Sequence, residues 1–258
     1  MIASQRFEKI VELVNDRGIV NTRELSELME VTETTIRRDC EELEKQGKLL
    51  RVHGGAKSIK QKEILSTLDE KEMRDRTGQF EEKERVCRKA ASFIKNGDCI
   101  YLDGGTSVQP ILKYLQGKHL KIVTNSTLLA NSFHDSDSEL FIIGGKYIPE
   151  YSMSVGPIAA KNLQHFNFDH AIISCSGVDL ENETVYAAEM DTMNIKEQAM
   201  KNAVKSYLLI DSSKLSVKGF YSSVKSSDFD AVICNEDPEI RDSDLPDNFI
   251  LVEEPPEE

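Results

Sequence analysis

The 258-residue sequence has no tryptophan, few cysteines and no apolar run of the length that a membrane-spanning helix requires. The charged N-terminal residues also lack the apolar segment of a secretory signal, so we expect a cytoplasmic protein without a membrane partner. Five scattered cysteines with no C-x-x-C pair support neither a disulfide framework nor a zinc site. We therefore expect no metal and no cofactor.

Charge is spread unevenly along the chain, although the net charge of −13 argues at first against a nucleic acid partner. Residues 1–62 carry 12 lysines and arginines against 11 acidic residues, whereas the remainder carries 20 against 34. Within residues 34–62 there are 8 basic side chains and 4 acidic ones. A locally basic segment beside an acidic body predicts two domains with different partners.

Residues 1–58 show the pattern of three short helices followed by a hairpin. Apolar residues recur at helical spacing, and Thr22 is the expected cap of the second helix. The third helix is expected to begin near Thr32, and an alternating strand later turns at Gly54. This order is typical of a winged helix-turn-helix domain.

The third helix and the hairpin carry the side chains that we expect to contact DNA. Hydroxyl groups can approach bases or phosphates closely, and an arginine can form a fork with a guanine edge or clamp a phosphate. The candidate DNA-binding residues are Thr34, Thr35, Arg37, Arg38, Arg51, His53 and Gly54. On the helix pattern alone, a three-helix interaction module with solvated arginines remains the alternative.

Residues 59–78 are polar with few apolar anchors, which predicts a linker with some helix. From residue 79 to 258, helical and strand patterns alternate. The expected strands lie at 99–102, 121–124, 140–143, 170–174, 206–210, 231–234 and 249–252, and the expected helices at 81–95, 107–116, 126–133, 157–164 and 189–204. This order predicts an α/β domain with a mostly parallel sheet, whose ligands bind beyond the carboxyl ends of its strands.

Polar loops follow five of these strands, and we expect them to meet at one edge of the sheet. A phosphate is expected at residues 104–107, where glycines and hydroxyls begin a helix, and Lys214 could either neutralise the phosphate or meet a ligand carbonyl. Asp103, Asn125 and Asp179 are expected to bind sugar hydroxyls. Each loop alone could be a helix cap, but together they favour a small phosphorylated, polyhydroxylated ligand. The candidate residues in these loops are Asp103, Gly104, Gly105, Thr106, Ser107, Thr124, Asn125, Gly144, Gly145, Gly177, Asp179 and Lys214.

The run Val31-Thr-Glu-Thr-Thr-Ile-Arg-Arg-Asp39, followed by Arg51-Val-His-Gly-Gly-Ala56, resembles the signature of DeoR-family transcriptional regulators. That family usually has serine at the position of Thr32 and leucine at that of Cys40. Both departures are mild, because threonine also caps helices and cysteine is a small buried apolar residue. The resemblance implies sequence-specific binding to double-stranded operator DNA.

Residues 78–235 resemble the C-terminal sensor domain of the same family. That domain is similar in fold to ribose-5-phosphate isomerase and usually binds a phosphosugar, and the resemblance adds Glu189 and Lys196 to the effector site. Isomerisation would require a carboxylate base beside the substrate. Glu189 is the candidate near the motifs, and its position at the start of a helix favours a capping role instead.

Together these patterns predict a transcriptional regulator with no catalytic residues. We expect it to repress a sugar-metabolism operon, to respond to a phosphorylated sugar and to form a homo-oligomer, either a dimer or a tetramer. One alternative is a phosphosugar isomerase-like enzyme that carries a DNA-binding head. Another is a DNA-binding protein whose second domain is purely an oligomerisation scaffold.

Overall fold

The structure is a computed structural model of the chain, and it describes residues 3–58, 64–65, 79–215, 217–237 and 245–253. Apart from residues 64–65, the predicted linker from 59 to 78 lies outside the described residues. We call residues 3–58 the head and the described residues from 79 onward the body. Within these ranges, no helix has both the length and the apolar character needed to cross a bilayer.

The head consists of three helices and a small antiparallel sheet. Its elements are α1 (Ala3–Arg17), β1 (Ile19–Asn21), α2 (Thr22–Met29), α3 (Glu33–Lys45), β2 (Leu50–Val52) and β3 (Gly55–Lys57), with the strands in the order β1-β3-β2. One buried apolar cluster joins the three helices to β1, through side chains such as Ile10, Val20 and Ile36. The predicted winged helix-turn-helix architecture is confirmed.

Two N-caps position the helix-turn-helix. Thr32 caps α3 by accepting a hydrogen bond from the Thr35 N–H at 3.3 Å, as predicted. The cap of α2 is Asn21 and not the predicted Thr22. Asn21 Oδ1 accepts the Glu24 N–H at 2.6 Å, which leaves Thr22 as the first helical residue.

The body is built on a seven-stranded sheet in which every neighbouring pair is parallel. The strands after the head are β4 (Ile64–Leu65), β5 (Cys99–Leu102), β6 (Lys121–Thr124), β7 (Glu139–Ile142), β8 (Lys146–Ile148), β9 (Met153–Val155), β10 (Phe168–Ile173), β11 (Gly177–Asp179), β12 (Thr184–Ala187), β13 (Ala203–Leu209), β14 (Lys218–Gly219), β15 (Tyr221–Lys225), β16 (Ala231–Asn235) and β17 (Phe249–Val252). The large sheet has the order β17-β16-β13-β10-β5-β6-β7, which confirms the parallel α/β prediction.

Helices cover both faces of this sheet. They are α4 (Phe80–Ala91), α5 (Leu112–Leu115), α6 (Thr127–Ser132), α7 (Pro157–Leu163) and α8 (Met190–Lys201). Successive side chains of a strand point to opposite faces, so Tyr101 joins one buried cluster with α7 and α8, whereas Ile100 and Leu102 join a second with α4. Burial on both faces explains why these strands are almost uninterrupted apolar runs.

Some predicted helices are shorter in the structure. The segment predicted as a helix over 107–116 is a 3-10 turn at Gln109–Ile111 followed by the single turn of α5, and Pro110 supplies no N–H donor there. The helix predicted over 189–204 ends at Lys201, because residues from Ala203 onward pair with β10 as strand β13.

The order of the large sheet locates a crevice. The chain runs outward from β5 to β6 and β7 on one side, and outward from β10 to β13, β16 and β17 on the other. Because the direction of progression reverses between β5 and β10, the loops after these two strands diverge and leave space between them. In open parallel sheets, ligands bind at this topological switch point.

Candidate functional site

A cavity of about 40 Å³ lies at the switch point, between the loop that follows β5 and the loop that follows β10. The structure brings together five of the predicted effector residues there, namely Gly105, Thr106, Ser107, Lys196 and Lys214. The other lining residues are Tyr151, Met153, Ser174, Cys175, Ser176, Ala187, Ala188 and Thr192.

The loop after β5 presents free backbone donors. Among the described residues, no acceptor is bonded to the N–H groups of residues 104–107. The loop is instead held by its carbonyl side, because the Gly105 oxygen accepts the N–H of Val108 at 2.9 Å. Successive unpaired N–H groups form a concave anion site, and the hydroxyls of Thr106 and Ser107 add further donors.

Two glycines allow this loop to pack closely against its neighbours. A Cβ atom at Gly105 would overlap the hydroxyl of Ser174, and one at Gly104 would lie 2.7 Å from the Cε of Met153. The glycines therefore make room for protein atoms, in addition to leaving the loop N–H groups accessible. Any side chain at Gly105 would displace Ser174 from the cavity wall.

Asp103 is buried behind the cavity and positions Lys196. Its Oδ2 accepts hydrogen bonds from the Lys196 ammonium group, from the Ser174 hydroxyl and, at 3.1 Å, from the Ser174 N–H. Asp103 and Lys196 are 1% and 5% exposed, so they form a buried, hydrogen-bonded ion pair. Asp103 is absent from the cavity lining, and its contacts are with protein groups.

Lys214 differs from Lys196 in having no counter-ion. It ends the 3-10 turn Ser212–Lys214 that follows β13, and its ammonium group forms no ion pair or hydrogen bond with any described residue. Since the charge of Lys196 is balanced by Asp103, Lys214 supplies the uncompensated positive charge of the cavity. This arrangement suits an anionic ligand group beside the donor loop.

Several lining residues were missed by the sequence analysis. The strand predicted over 170–174 ends at Ile173, so Ser174, Cys175 and Ser176 form the loop beyond it. Burial raises the pKa of the Cys175 thiol to about 12, so this side chain is a neutral thiol at physiological pH. The position of Ser174 directly after an apolar strand is a signal that the sequence does contain.

Tyr151 and Met153 had no such signal. They lie in the turn between the hairpin strands β8 and β9 and at the start of β9, and they reach the cavity only because the hairpin folds back over the loop after β5. The sequence between 144 and 157 has no regular alternation that would predict this hairpin.

The loop after β6 supports the site from outside the lining. Thr124 Oγ1 donates to the Leu102 carbonyl at 2.7 Å, and Asn125 accepts from the Tyr101 hydroxyl at 3.0 Å while donating to the Ser154 carbonyl at 2.9 Å. Asn125 is 1% exposed, and these bonds fix the loops to one another.

The remaining predicted effector residues also lie outside the lining. Gly144 has open space beside it, and Gly145 packs against Ala159. Gly177 packs against the backbone of Val217. Glu189 occupies the N-cap position of α8, but its side chain makes no capping hydrogen bond, so the predicted capping role is wrong.

Asp179 is held by protein donors. Its carboxylate accepts the side-chain amide of Asn182 at 3.0 Å and the Asn182 N–H at 3.2 Å. These hydrogen bonds lower the pKa of Asp179, and the ammonium group of Lys218, 3.8 Å away, lowers it further. In this geometry the carboxylate stabilises the turn between β11 and β12.

The predicted DNA-binding side chains are divided between exposed and engaged positions. Thr34, Arg38 and His53 are exposed, and within the described part of the chain Arg38 has no hydrogen-bond or ion-pair partner. The Arg37 guanidinium donates to Glu33 at 3.1 Å, and the Arg51 guanidinium to Glu44 at the same distance. These two arginines are therefore held along the head surface.

Two other predicted residues have structural contacts. The Thr35 hydroxyl lies 3.0 Å from that of Thr32 and belongs to the cap of α3. Gly54 has a φ of +69° and is buried, with its carbonyl accepting the Thr22 N–H at 2.8 Å. The tip of the wing is therefore covered at this residue, which was predicted to face DNA.

Asp39 follows the paired arginines and has a role that the sequence analysis did not assign. Its carboxylate forms a two-bond ion pair with the guanidinium of Arg6, and both residues are buried. The pair joins α1 to the middle of α3. It fixes the helix that presents Arg37 and Arg38 on the opposite side.

Metal chemistry has no candidate site in the described ranges, because no three histidine, cysteine or acidic side chains come close enough to hold an ion.

The chain matches two family models. Residues 6–62 match a model described as a DeoR-like helix-turn-helix domain, and residues 78–236 match one described as the DeoR C terminal sensor domain. Together they cover the head and most of the body.

Similar proteins are known from bacteria. An uncharacterized HTH-type transcriptional regulator, YulB of Bacillus subtilis, is 36% identical over 83% of this chain and 81% of its own length. The lactose phosphotransferase system repressor of Streptococcus mutans is 32% identical over 93% of this chain and 96% of its own length. Among solved structures, a D-ribose-5-phosphate isomerase in complex with phospho-erythronic acid matches 53% of this chain and 54% of its own, with 19% identity and a TM-score of 0.38.

Proposed function

Because this chain belongs to the DeoR family of transcriptional regulators, we propose that it represses a sugar-metabolism operon and that a phosphorylated sugar controls its affinity for operator DNA. The observation that carries the effector proposal is the cavity at the switch point, which is lined by Gly105, Thr106 and Ser107 of the donor loop and by Lys214, whose charge has no counter-ion among the described residues. A phosphate group satisfies both features at once. The similarity to the lactose phosphotransferase system repressor of Streptococcus mutans supports the proposal that the controlled operon serves sugar metabolism.

The phosphate is proposed to bind at residues 104–107 and the sugar hydroxyls to meet Ser174, Ser176 and Thr192 in the lining. These hydroxyl groups replace the carboxylates as candidates for sugar recognition, since Asp103 and Asp179 are occupied by protein donors. Lys196, whose charge is balanced by Asp103, is proposed to donate a hydrogen bond to a ligand oxygen.

The isomerase alternative lacks a group for the chemistry. Isomerisation needs a base within hydrogen-bond reach of the substrate carbon. Among the described residues, no carboxylate lines the cavity, and the nearby Asp103 is bound to an ammonium group and a hydroxyl. The geometry therefore favours binding without turnover.

The cavity must widen before it can hold the proposed ligand. Its volume is about 40 Å³, whereas typical small-molecule sites enclose several hundred. Movement of the β8–β9 hairpin or of the turn that carries Lys214 would open it. Effector binding is thus proposed to change the conformation of the body.

DNA-binding proteins of this class hold two half-sites with two heads, so we propose that the chain acts as a homo-oligomer, a dimer or a tetramer, in the cytoplasm. The acidic body would limit non-specific DNA binding while the heads supply local positive charge.

Two measurements test the proposal. Affinity purification of fragmented genomic DNA on the full-length protein, followed by sequencing, should recover a small number of sites beside genes for sugar uptake or metabolism. A thermal-shift screen with glucose 6-phosphate, galactose 6-phosphate, fructose 1-phosphate, fructose 6-phosphate and ribose 5-phosphate should show saturable stabilisation by at least one. Uniform recovery of DNA contradicts the first half of the proposal, and absence of any shift contradicts the second.

A further inference from the structure

The head and the body meet at the same segment that carries Lys214. This segment, which we call the coupling segment, comprises residues 211–215 and 217–219. We infer that the coupling segment transmits effector binding to the DNA-binding head, an inference that rests on the proposed function of the cavity.

The first end of the coupling segment contacts the wing of the head. A Cβ atom at Gly54 would overlap the carboxylate of Asp237 and would lie 3.3 Å from the hydroxyl of Ser212. Gly54 can make this contact because it has no side chain and adopts a positive φ. Ser212 and Asp237 together form the surface on which the wing tip rests.

Ser212 is hydrogen-bonded to the end of a strand in the large sheet. Its N–H donates to Asn235 Oδ1 at 2.8 Å, and the Asn235 amide donates back to the Ser212 hydroxyl at 3.3 Å. Asn235 ends β16, and Asp237 follows two residues later. The wing contact is therefore a defined polar surface at the carboxyl end of β16.

The middle of the coupling segment lines the cavity. Lys214 is two residues from Ser212 in one closed turn, in which the Lys214 N–H donates to the Asp211 carbonyl at 2.9 Å and the Leu215 N–H to the Ser212 carbonyl at 3.1 Å. Because such a short hydrogen-bonded turn moves as a unit, a shift of Lys214 toward a bound phosphate also shifts Ser212 beneath Gly54.

The far end of the coupling segment contacts the chain that leaves the head. Lys218 and Gly219 form β14, which pairs in parallel with β4 at Ile64 and Leu65. Gly219 also packs on the carbonyl of Ala187, a residue of the cavity wall. Within the described residues, the contact at Gly54 and the pairing of β14 with β4 therefore both involve a segment that adjoins the effector cavity through Lys214 and Ala187.

Other contacts between head and body lie outside the coupling segment, and we call them the rim contacts. Arg23 forms an ion pair with Glu81 at 3.3 Å, and the Asn21 amide lies 3.4 Å from Glu82 Oε1. Arg23 also pairs with Glu27 inside the head, and Glu81 is largely exposed. The exposed pair of Arg23 and Glu81 contributes little, and the contact of Asn21 with the buried Glu82 is long, so the contact at Gly54 is the one expected to distinguish the two states of the head.

The test compares Asp237→Ala with Asp247→Ala, an exposed aspartate that precedes β17 at the opposite edge of the large sheet and is absent from the cavity lining. For each full-length protein, operator affinity is measured by fluorescence anisotropy with and without the sugar phosphate that stabilises the wild type most. Effector affinity is measured by calorimetry in the absence of DNA. The ratio of the two operator affinities is the coupling factor, which is typically about 5–150 in allosteric proteins.

We expect the wild type and Asp247→Ala to show a coupling factor of at least about 5, and Asp237→Ala to fall below about 2 while its effector affinity stays within about twofold of the wild type. Glu81→Gln, which removes only the rim pair, should keep the wild-type coupling factor. Hydrogen–deuterium exchange of the peptide that spans Gly54 should change on addition of effector in the wild type but not in Asp237→Ala.

The possible results distinguish a failure of the proposed function from a failure of the inference about the coupling segment. A wild type that binds no sugar phosphate overturns the proposed function and this inference with it. A wild type that binds the effector and is controlled by it, beside an Asp237→Ala variant with an unchanged coupling factor and unchanged exchange at Gly54, leaves the proposed function intact and overturns the coupling segment.

Discussion

At the scale of single residues, the two arginines of α3 have different surroundings despite being adjacent in sequence. Arg37 is bound to Glu33 along the helix, whereas Arg38 is exposed and has no partner among the described residues. An arginine with free donors can form a bidentate contact without first breaking an internal bond. The sequence predicted that both arginines lie on the third helix, but it could not show which of them has free hydrogen-bond donors.

We predict that Arg38→Ala weakens operator binding more than Arg37→Ala. Loss of a bidentate base contact should cost about 1–3 kcal/mol and relax specificity at one base pair, whereas loss of a phosphate contact should weaken all sequences alike. Anisotropy titrations of both variants against the operator and against single-base variants distinguish these outcomes. Wild-type affinity in both variants would contradict the assignment of α3 as the recognition helix.

The ion pair between Arg6 and Asp39 gives a prediction about stability. Asp39→Ala would remove the carboxylate that accepts two hydrogen bonds from the buried Arg6 guanidinium, and breaking a buried ion pair typically costs about 3–5 kcal/mol. Hydrogen–deuterium exchange of α1 and α3 in the full-length protein should become much faster. Glu41→Ala, which breaks the exposed pair with Lys45 on the same helix, is the matched control and should change exchange little. Equal effects of the two substitutions would show that the buried pair does not hold α1 to α3.

At the scale of secondary-structure elements, the sequence predicted the strands and helices that a local pattern of apolar residues marks. It did not predict the short strands whose position depends on pairing in the folded protein. The seven strands of the large sheet are apolar runs between polar turns, and all seven were located to within a few residues. The three-stranded sheet of β11, β12 and β15 was missed, since its strands are short and β15 comes from a distant part of the chain. The β8–β9 hairpin is local, and it was missed because its three-residue strands show no regular alternation.

In the candidate site too, the sequence predicted the features that follow a local pattern and missed those that depend on contacts between distant residues. The donor loop at 104–107 and Lys214 were found, because each directly follows a recognisable strand. The carboxylates were assigned to the ligand because they also follow strands, but residue type alone cannot show whether a buried aspartate faces a cavity or a lysine. Asp103 faces Lys196, and that pairing spans 93 residues of sequence.

For the loops that form the cavity, we predict a preference for a sugar phosphate over the corresponding free sugar by at least about tenfold, because hydrogen bonds to a charged group contribute about 1.5–3 kcal/mol each. Lys214→Ala should reduce this difference in affinity between the sugar phosphate and the free sugar. Lys201→Ala, an exposed lysine of α8 outside the cavity, should leave it unchanged. Calorimetry with both ligands provides the comparison. Equal binding of sugar and sugar phosphate by the wild type would mean that the donor loop is only a structural turn.

At the scale of the whole molecule, the head and the body differ in charge and in proposed role. The excess of acidic residues lies outside residues 1–62, so the body repels the DNA backbone while the heads approach it. One head presents a single recognition helix, whose contacts cover only a few base pairs. High affinity for a long operator then requires two heads at a fixed separation, and the body is the part of the chain available to set it.

This reasoning predicts a dependence on half-site spacing. Two half-sites of a symmetric operator face the same side of the duplex when their centres are one helical turn or a multiple apart, about 10–10.5 base pairs per turn. Inserting five base pairs between the half-sites should rotate one of them to the opposite side and reduce the affinity of the full-length protein to that of a single half-site. Inserting ten should restore much of the lost affinity, because the faces realign and only the separation grows. The measurement is a set of anisotropy titrations with the natural, five-pair and ten-pair operators, alongside sedimentation of the free protein. An affinity that is indifferent to all three spacings, or a free protein that sediments as a monomer at the concentrations at which it binds the operator, would contradict the proposal that an oligomeric body fixes the distance between heads.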